Sequence, residues 1–386
     1  MYLPAGQACA EQFVFFRRAT TYSAWMAGFY LATGKDLRRT YYVEKLSTLV
    51  LLAVAVAMLT TRLTHGLLGL AAGLWILNSK YLVLETNGSH AFAALLCTGA
   101  ALSLTLPTQA ARLPLGLVWL AAASQSRTEV ALVLVVFSFL GVCHWLVHKD
   151  RLWPRDGNRS SVSRWVASGL ILLAVGALVI LRRGPAEPGR LREAVMINFC
   201  LNYLDRTGTI TGRGEPDFPT IWEKAFRGSG VTALEIRRDP RQIRPAHAFL
   251  ARPEEMAAHI TWNLRLLARA IPAVLTAPWH YTVAAVVLGL IAVSLSWPGE
   301  PLGGHPVVDE RQYTLLGRLA ASLVLVLVAL TVVLRPVARY YIPILPVFVV
   351  GSLVTAHRLR SLRMATRPPG EGTRRAGAAA DTPAPC

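Results

Sequence analysis

The chain has 386 residues, of which 53% are hydrophobic and 16% are charged, and its mean hydropathy is +0.42. A soluble chain normally carries about a quarter charged residues, so this composition excludes an ordinary soluble domain and predicts a polytopic membrane protein. The 40 Lys and Arg against 22 Asp and Glu give a net charge of +18; this excess lies in short connections and in the tail, where the positive-inside rule and anionic lipids explain it better than nucleic acid does.

The apolar residues come in blocks, and these blocks predict an all-α transmembrane bundle of about nine spans. The predicted spans cover residues 46–59, 67–84, 91–106, 113–123, 130–147, 165–181, 281–295, 315–334 and 341–357. The chain then divides into an outward N-terminal segment with interfacial helices, a first bundle, an extracytoplasmic loop region, C-terminal spans and a disordered basic cytoplasmic tail. The boundaries of these parts are 1–45, 46–181, 182–280, 281–357 and 358–386. Arginines after residue 147 and after residue 357 set the orientation.

The long loop region is itself organised. Residues 192–204 read as a short amphipathic helix, and residues 219–228 as another that is closed by Gly228. A third helix begins near Pro253, with acidic residues in its first turn. Its arginines, Arg265 and Arg269, stand off its apolar face, which is typical of a helix lying in the membrane interface.

Ionisable and aromatic residues collect in the connections that this orientation places outside. They are Lys80, Glu85, His90, Arg127, Glu129, Arg335, Arg339 and Tyr340. Separately, Arg127 with Glu129 reads as a snorkelling residue or a local ion pair, Arg339 with Tyr340 as an aromatic-belt anchor, and His90 as a polar helix end. Their convergence on one face predicts a phosphate-binding site instead, because the forked donors of arginine match phosphate oxygens.

Four segments resemble the GT-C class of integral-membrane glycosyltransferases, which use polyprenyl-phosphate sugars, as dolichyl-phosphate-mannose mannosyltransferases do. "TTYSAWMAGFYLATGKDL" resembles the segment before a core helix, and "LNSKYLVLETNGSHAFAALL" an outward loop that leads into a helix. "AAASQSRTEVALVL" resembles a helix junction with an Arg and an acid, and "LRPVARYYIPILPVFVVGSL" the Arg-Tyr-x-x-Pro-x-x-Pro opening of a late helix. In order, they span most of residues 20–357.

The resemblance implies transfer of a sugar from a polyprenyl-phosphate donor to an envelope glycan, lipid or protein on the extracytoplasmic side. The composition, rich in Ala, Leu, Arg and Gly, indicates a GC-rich bacterial genome, so we expect the inner membrane of a bacterium. The resemblance also implies three groups of residues. The residues expected to bind the donor phosphate are Arg127, Arg335, Arg339 and Lys80. Those expected to line the site are His90, Glu129 and Tyr340. The candidates for the general base are Glu11, Glu85 and Asp205. A divalent metal, Mg or Mn, is implied by analogy only.

The sequence also departs from this class. The class carries a catalytic Asp after a first spanning helix, whereas the first Asp here is Asp36 and Glu11 is the only earlier acid. His90 stands where relatives have Glu or Arg. We therefore expect either an N-terminally truncated sequence or an inactive homologue. Two other classes stay open: a lipid or solute transporter, which should place ionisable groups near the middle of the membrane, and a membrane scaffold with dispensable arginines.

Overall fold

The computed structural model describes residues 20–84, 88–152, 188–208, 216–227, 231–296, 308–333, 335 and 338–365. Over these ranges the chain is helical and forms no strand beyond a single bridge between Ser79 and Pro278. The predicted all-α class is confirmed for this part of the chain. The predicted span 165–181, Glu11 and Glu85 lie outside the described residues.

The helices fall into a bundle and a loop region. The first bundle helices are α1 (Thr20–Ala32), α2 (Leu37–Leu63), α3 (Gly66–Leu77), α4 (Lys80–Leu84), α5 (Ser89–Leu104), α6 (Gln109–Ser126) and α7 (Thr128–Leu152). The loop region holds α8 (Pro188–Thr207), α9 (Phe218–Ala225), α10 (Ala233–Arg238), the 3-10 helix Pro240–Gln242, α11 (Pro245–Ala251) and α12 (Pro253–Thr276). The bundle then continues with α13 (Tyr281–Ser296), α14 (Glu310–Val333), the 3-10 helix Ala338–Tyr341 and α15 (Ile344–Ala365).

Two of the described helices are long and apolar enough to cross a membrane. They are Leu37–Leu63 and the stretch Glu310–Leu330 of α14. Four shorter apolar helices accompany them: Gly66–Leu77, Ser89–Leu104, Val130–Cys143 and Tyr281–Ser296. Membrane association therefore has support from two helices, and the nine-span arrangement stays a prediction.

Helix boundaries differ from the predicted spans at both ends of the bundle. α2 begins at Leu37 rather than at residue 46, because the Asp36 carboxylate caps it by accepting from the backbone N–H groups of Arg38 (2.9 Å) and Arg39 (3.0 Å). α15 continues to Ala365, so the helix includes the first residues of the predicted disordered tail. Apolar content alone does not mark these polar helical turns, which explains both differences.

The bundle has two ends, which are fixed by contacts between helix termini. At one end the Tyr313 hydroxyl donates to the Leu63 carbonyl (3.2 Å), so the end of α2 meets the start of α14. At the other end the Asn78 amide donates to the His280 carbonyl (3.0 Å), and the His280 N–H returns a bond to the Asn78 side chain (2.7 Å). We name the Leu63 end the tail end and the Asn78 end the loop end.

The loop region has a core of its own, built around Phe199. This side chain is fully buried, and its ring lies 4.6 Å from that of Phe226 and 5.4 Å from that of Trp222 between centroids. Ile236 and Ile243 close the cluster. The helices predicted at 192–204 and from Pro253 onward are confirmed. The helix predicted at 219–228 is observed over Phe218–Ala225, and its predicted closing residue, Gly228, lies outside the described residues.

Helices α2 and α3 touch backbone to backbone. A Cβ added at Gly69 would lie 1.9 Å from Thr61 Oγ1 and 2.7 Å from the Ala57 carbonyl oxygen. One added at Gly73 would lie 3.1 Å from Ala57 Cβ and 3.2 Å from the Ala53 carbonyl oxygen. Glycines four residues apart thus face small residues four residues apart, the arrangement that lets helices pack closely in a membrane.

Gly69→Ala is expected to destabilise the protein by about 1–3 kcal/mol, because the new methyl group must push the two helices apart. This occurs although alanine is the better helix former by about 1 kcal/mol. The matched control is Gly289→Ala within α13, where an added Cβ meets nothing within 4 Å and a slight gain is expected. Thermal unfolding of both variants in detergent checks the pair, and equal stability of the two would contradict the close contact.

Candidate functional site

Three of the predicted site residues meet at the loop end. The ring of His90 lies 5.7 Å from the ring of Tyr340, centroid to centroid, and the guanidinium of Arg127 lies 5.9 Å from the same Tyr340 ring. They come from three separate segments of the chain. We name them the His90–Arg127–Tyr340 cluster; an arginine beside two polarisable rings can accept a negatively charged ligand and hold it in one orientation.

Local structure fixes each member of this cluster. Arg127 is the single extended residue between α6 and α7, and its N–H still bonds to the Ala123 carbonyl (3.0 Å), so its side chain stands at a helix corner. His90 is the second residue of α5 and is only 2% exposed. Tyr340 belongs to the 3-10 helix before α15, and its neighbour Tyr341 is buried in an apolar cluster. A helix corner, a helix start and a short turn thus present the three side chains.

A second contact joins the loop region to the bundle. Arg335 forms an ion pair with Asp205 of α8 (2.7 Å), and its backbone N–H donates to the Asn198 side chain of the same helix (3.2 Å). The two charged side chains are 27% and 34% exposed, so water still reaches both. Arg335, predicted to bind the donor phosphate, and Asp205, a predicted general base, are therefore partners of each other in this structure.

A double-mutant cycle on Asp205→Ala and Arg335→Ala should give a coupling energy of about 1 kcal/mol, as expected for a hydrogen-bonded but partly exposed pair. The reference is the more exposed pair Arg252 and Glu254 (3.1 Å), whose coupling should be close to zero. Chemical unfolding in detergent measures both cycles. Strictly additive effects of Asp205 and Arg335 would show that the contact contributes nothing to docking of α8.

The other predicted residues are placed as follows. Lys80 lies where residues 78–80 meet residues 277–280; its N–H donates to the Ala277 carbonyl (3.1 Å) and its side chain is exposed. Glu129 lies in the first turn of α7 and Arg339 in the 3-10 helix, but both side chains lie outside the described part. The structure thus brings His90, Arg127 and Tyr340 together, and pairs Arg335 with Asp205.

One buried carboxylate near this end was not among the predicted site residues. Glu44 is 1% exposed, and the hydroxyl of Thr48 donates to its Oε1 (3.0 Å). Its oxygens lie 3.1 and 3.2 Å from the position of an added Gly88 Cβ, just ahead of His90 in the chain. The available signal was an acid near the start of a long apolar helix, which is costly and therefore a site candidate.

A buried polar trio in the loop region was also missed. The Asn202 amide nitrogen lies 3.0 Å from Nδ1 of His259 and 2.6 Å from Oδ1 of Asn263, and the Asn263 amide nitrogen lies 3.1 Å from Nε2 of His259. The trio joins α8 to α12, the helices on either side of the aromatic core. Buried polar groups need such partners, so the trio fixes the register of α8, on which Asp205 also lies.

Among the described residues no three His, Cys, Asp or Glu side chains gather closely enough to hold a metal ion. Asp205, the described carboxylate among the predicted site residues, is paired with Arg335 (2.7 Å), and the divalent metal stays a prediction. Compared with known protein families, curated proteins and solved structures, the chain matches none.

Proposed function

We propose that this protein is a GT-C-like membrane glycosyltransferase, which moves a sugar from a polyprenyl-phosphate donor to an envelope glycan, lipid or protein acceptor. The observation that carries the proposal is the convergence of His90, Arg127 and Tyr340 from three distant segments at the loop end. The adjoining loop region supports it, because an ordered region docked over one end of a helix bundle offers an acceptor site beside the membrane. The resemblance of the four segments supplies the donor class.

The proposed setting is a bacterial inner membrane with about nine spans, the loop end outside and the C-terminal tail in the cytoplasm, as the arginine-rich connections favour. The tail end carries Arg62, Arg112, Arg358, Arg360 and Arg363 among the described residues. A polyprenyl phosphate carries its charge at the membrane surface. The proposed site therefore lies at the depth where that charge is presented.

In the proposed reaction, an acceptor hydroxyl attacks the anomeric carbon of the donor sugar. A new carbon–oxygen bond forms to the acceptor, the bond to the phosphate oxygen breaks, and polyprenyl phosphate leaves with both bonding electrons. Charge grows on the phosphate during this step, so fixed cations near it lower the barrier. Arg127, Arg335 and Arg339 are the proposed cations, with Lys80 at the margin and Tyr340 and His90 lining the pocket.

The hydroxyl proton needs a base within hydrogen-bond reach. Of the three predicted bases, Asp205 is the one that lies within the described residues. Its ion pair with Arg335 would link proton uptake to phosphate binding. When Asp205 takes the proton it loses its charge and weakens its hold on Arg335. The freed guanidinium then binds the leaving phosphate. Deprotonation of the acceptor hydroxyl is thereby coupled to stabilisation of the leaving group.

The test uses the purified full chain in liposomes. Polyprenyl-phosphate mannose and polyprenyl-phosphate arabinose, each labelled in the sugar, are supplied in turn with an extract of membrane lipids and glycans. We expect label in the acceptor fraction, matched by release of polyprenyl phosphate, with one of the two donors. A nucleotide sugar supplied at the same concentration should give no transfer.

Three results would overturn all or part of the proposal. Absence of transfer with both donors, from protein that is monodisperse and folded, would remove the enzyme function. Movement of intact donor across the liposome membrane with its sugar still attached would identify a transporter instead. Transfer with a nucleotide sugar would keep an enzyme but reject the polyprenyl-phosphate donor.

A further inference from the structure

An apolar groove runs along the outside of the bundle, between α2, α5, α14 and α15. Its volume is about 240 Å³, and it is lined from Pro343 at one end to Thr355 and Tyr313 at the other. The helical rise of about 1.5 Å per residue makes the part of α15 up to Thr355 about 17 Å long. One leaflet of a bilayer has a hydrocarbon thickness of about 15 Å, so the groove has the length of a single acyl chain.

Two glycines leave the side of this groove open. Gly317 and Gly351 both line it, both are exposed, and a Cβ added at either would meet no heavy atom within 4 Å. Leu59, Cys97 and Leu323 form part of the deeper wall. A chain lying in the surrounding lipid can therefore enter sideways without displacing a side chain of the bundle.

The tail end of the groove is positively charged. The guanidinium of Arg358 lies 3.9 Å from the centroid of the Tyr313 ring, and Tyr313 belongs to the groove lining. Arg358 is exposed, so a ligand from outside the bundle can reach its forked donors. The nearby acid Asp309 is already paired with Arg112 (3.2 Å) and does not cancel this charge.

We propose that this groove binds one anionic phospholipid, with an acyl chain between α14 and α15 and its phosphate at Arg358. Charge complementarity selects this occupant: basic pockets between spanning helices on the cytoplasmic side hold anionic head groups. The head-group end of this site, at Arg358 and Tyr313, lies at the opposite end of the bundle from the His90–Arg127–Tyr340 cluster. It does not depend on the proposed glycosyl transfer, and a protein with another function would bind the lipid equally.

The experiment measures which lipid stays with the purified full chain. Protein is exchanged into micelles that contain phosphatidylglycerol and phosphatidylcholine in equal amounts, and native mass spectrometry counts the lipids retained. We expect phosphatidylglycerol to be preferred by about fivefold, the factor that one arginine at an anionic surface contributes. Arg358→Gln should bring the preference close to one. Gly351→Leu, or Gly317→Leu if the first variant is not monodisperse, should remove retained lipid of both kinds.

The controls separate the possible sources of binding. Arg265→Gln removes an exposed arginine of the loop region and should leave the preference unchanged. An equal preference in Arg358→Gln and the parent would overturn the head-group assignment, and full retention by both leucine variants would overturn the groove. Displacement of the lipid by millimolar inorganic phosphate would show a free-anion site instead. A loss in Arg265→Gln as large as in Arg358→Gln would reduce the effect to overall charge.

Discussion

Arg127→Ala should lower the rate of sugar transfer by about 10²–10³, the usual effect of removing one donor that stabilises a developing negative charge. Arg127 stands at the corner between α6 and α7, and its guanidinium lies 5.9 Å from the Tyr340 ring centroid. The loss should appear in kcat, since the phosphate charge grows only during the reaction. Initial rates in the liposome assay measure it.

Two variants make this result interpretable. Arg127→Lys keeps the charge but loses the fork, and it should recover part of the rate. Arg265→Ala removes an exposed arginine on the outer face of α12 and should transfer sugar as the parent does. A parental rate in Arg127→Ala would reject the phosphate role of this residue. The corresponding expectation for Arg339→Ala is loss of donor use with folding intact.

Phe199→Ala should destabilise the loop region by about 3–5 kcal/mol, the range for truncating a buried phenylalanine. The ring is fully buried and lies within 5.4 Å, between centroids, of Trp222, Phe226 and His259. The cavity left behind is bordered by rigid rings that cannot collapse into it. Hydrogen exchange should therefore rise across α8, α9 and α11 while the bundle helices keep their protection.

The matched control is Leu250→Ala in α11, whose side chain is 82% exposed. Truncation there should change the free energy of unfolding by less than about 0.5 kcal/mol. Because α8 also carries Asn198 and Asp205, the Phe199 variant should weaken docking at Arg335 as well. If exchange in Phe199→Ala matched that of Leu250→Ala, the loop region would have no independent core.

Several helices of this fold could be predicted from local sequence patterns. Pro253 at a helix start with Glu254 and Glu255 behind it predicted α12, and the exposure of Arg265 and Arg269 agrees with the predicted polar face. The helix beginning at Leu37 was placed too late, because a capping Asp followed by polar turns resembles a loop when only hydrophobicity is considered. Helix caps and first-turn charges involve residues that are adjacent in the sequence, so they can be recognised from the sequence alone.

Only part of the site could be predicted from the sequence, because its residues meet through long-range contacts. The sequence named His90, Arg127 and Tyr340, but their meeting depends on contacts between segments over 200 residues apart. Nothing in sequence spacing predicts that Asp205 pairs with Arg335. The position of Glu44 near the start of an apolar helix was visible in the sequence, but its closeness to Gly88 and the start of α5 is seen only in the folded chain.

The glycine contact between α2 and α3 has a consequence for the loop region. With no side chain between them at Gly69 and Gly73, the two helices lie in direct backbone contact. α3 ends at Asn78, whose side chain is bound to the backbone of His280, so this closely packed helix pair supports one side of the loop region. A substitution that separates α2 from α3 would therefore also displace the contact between Asn78 and His280.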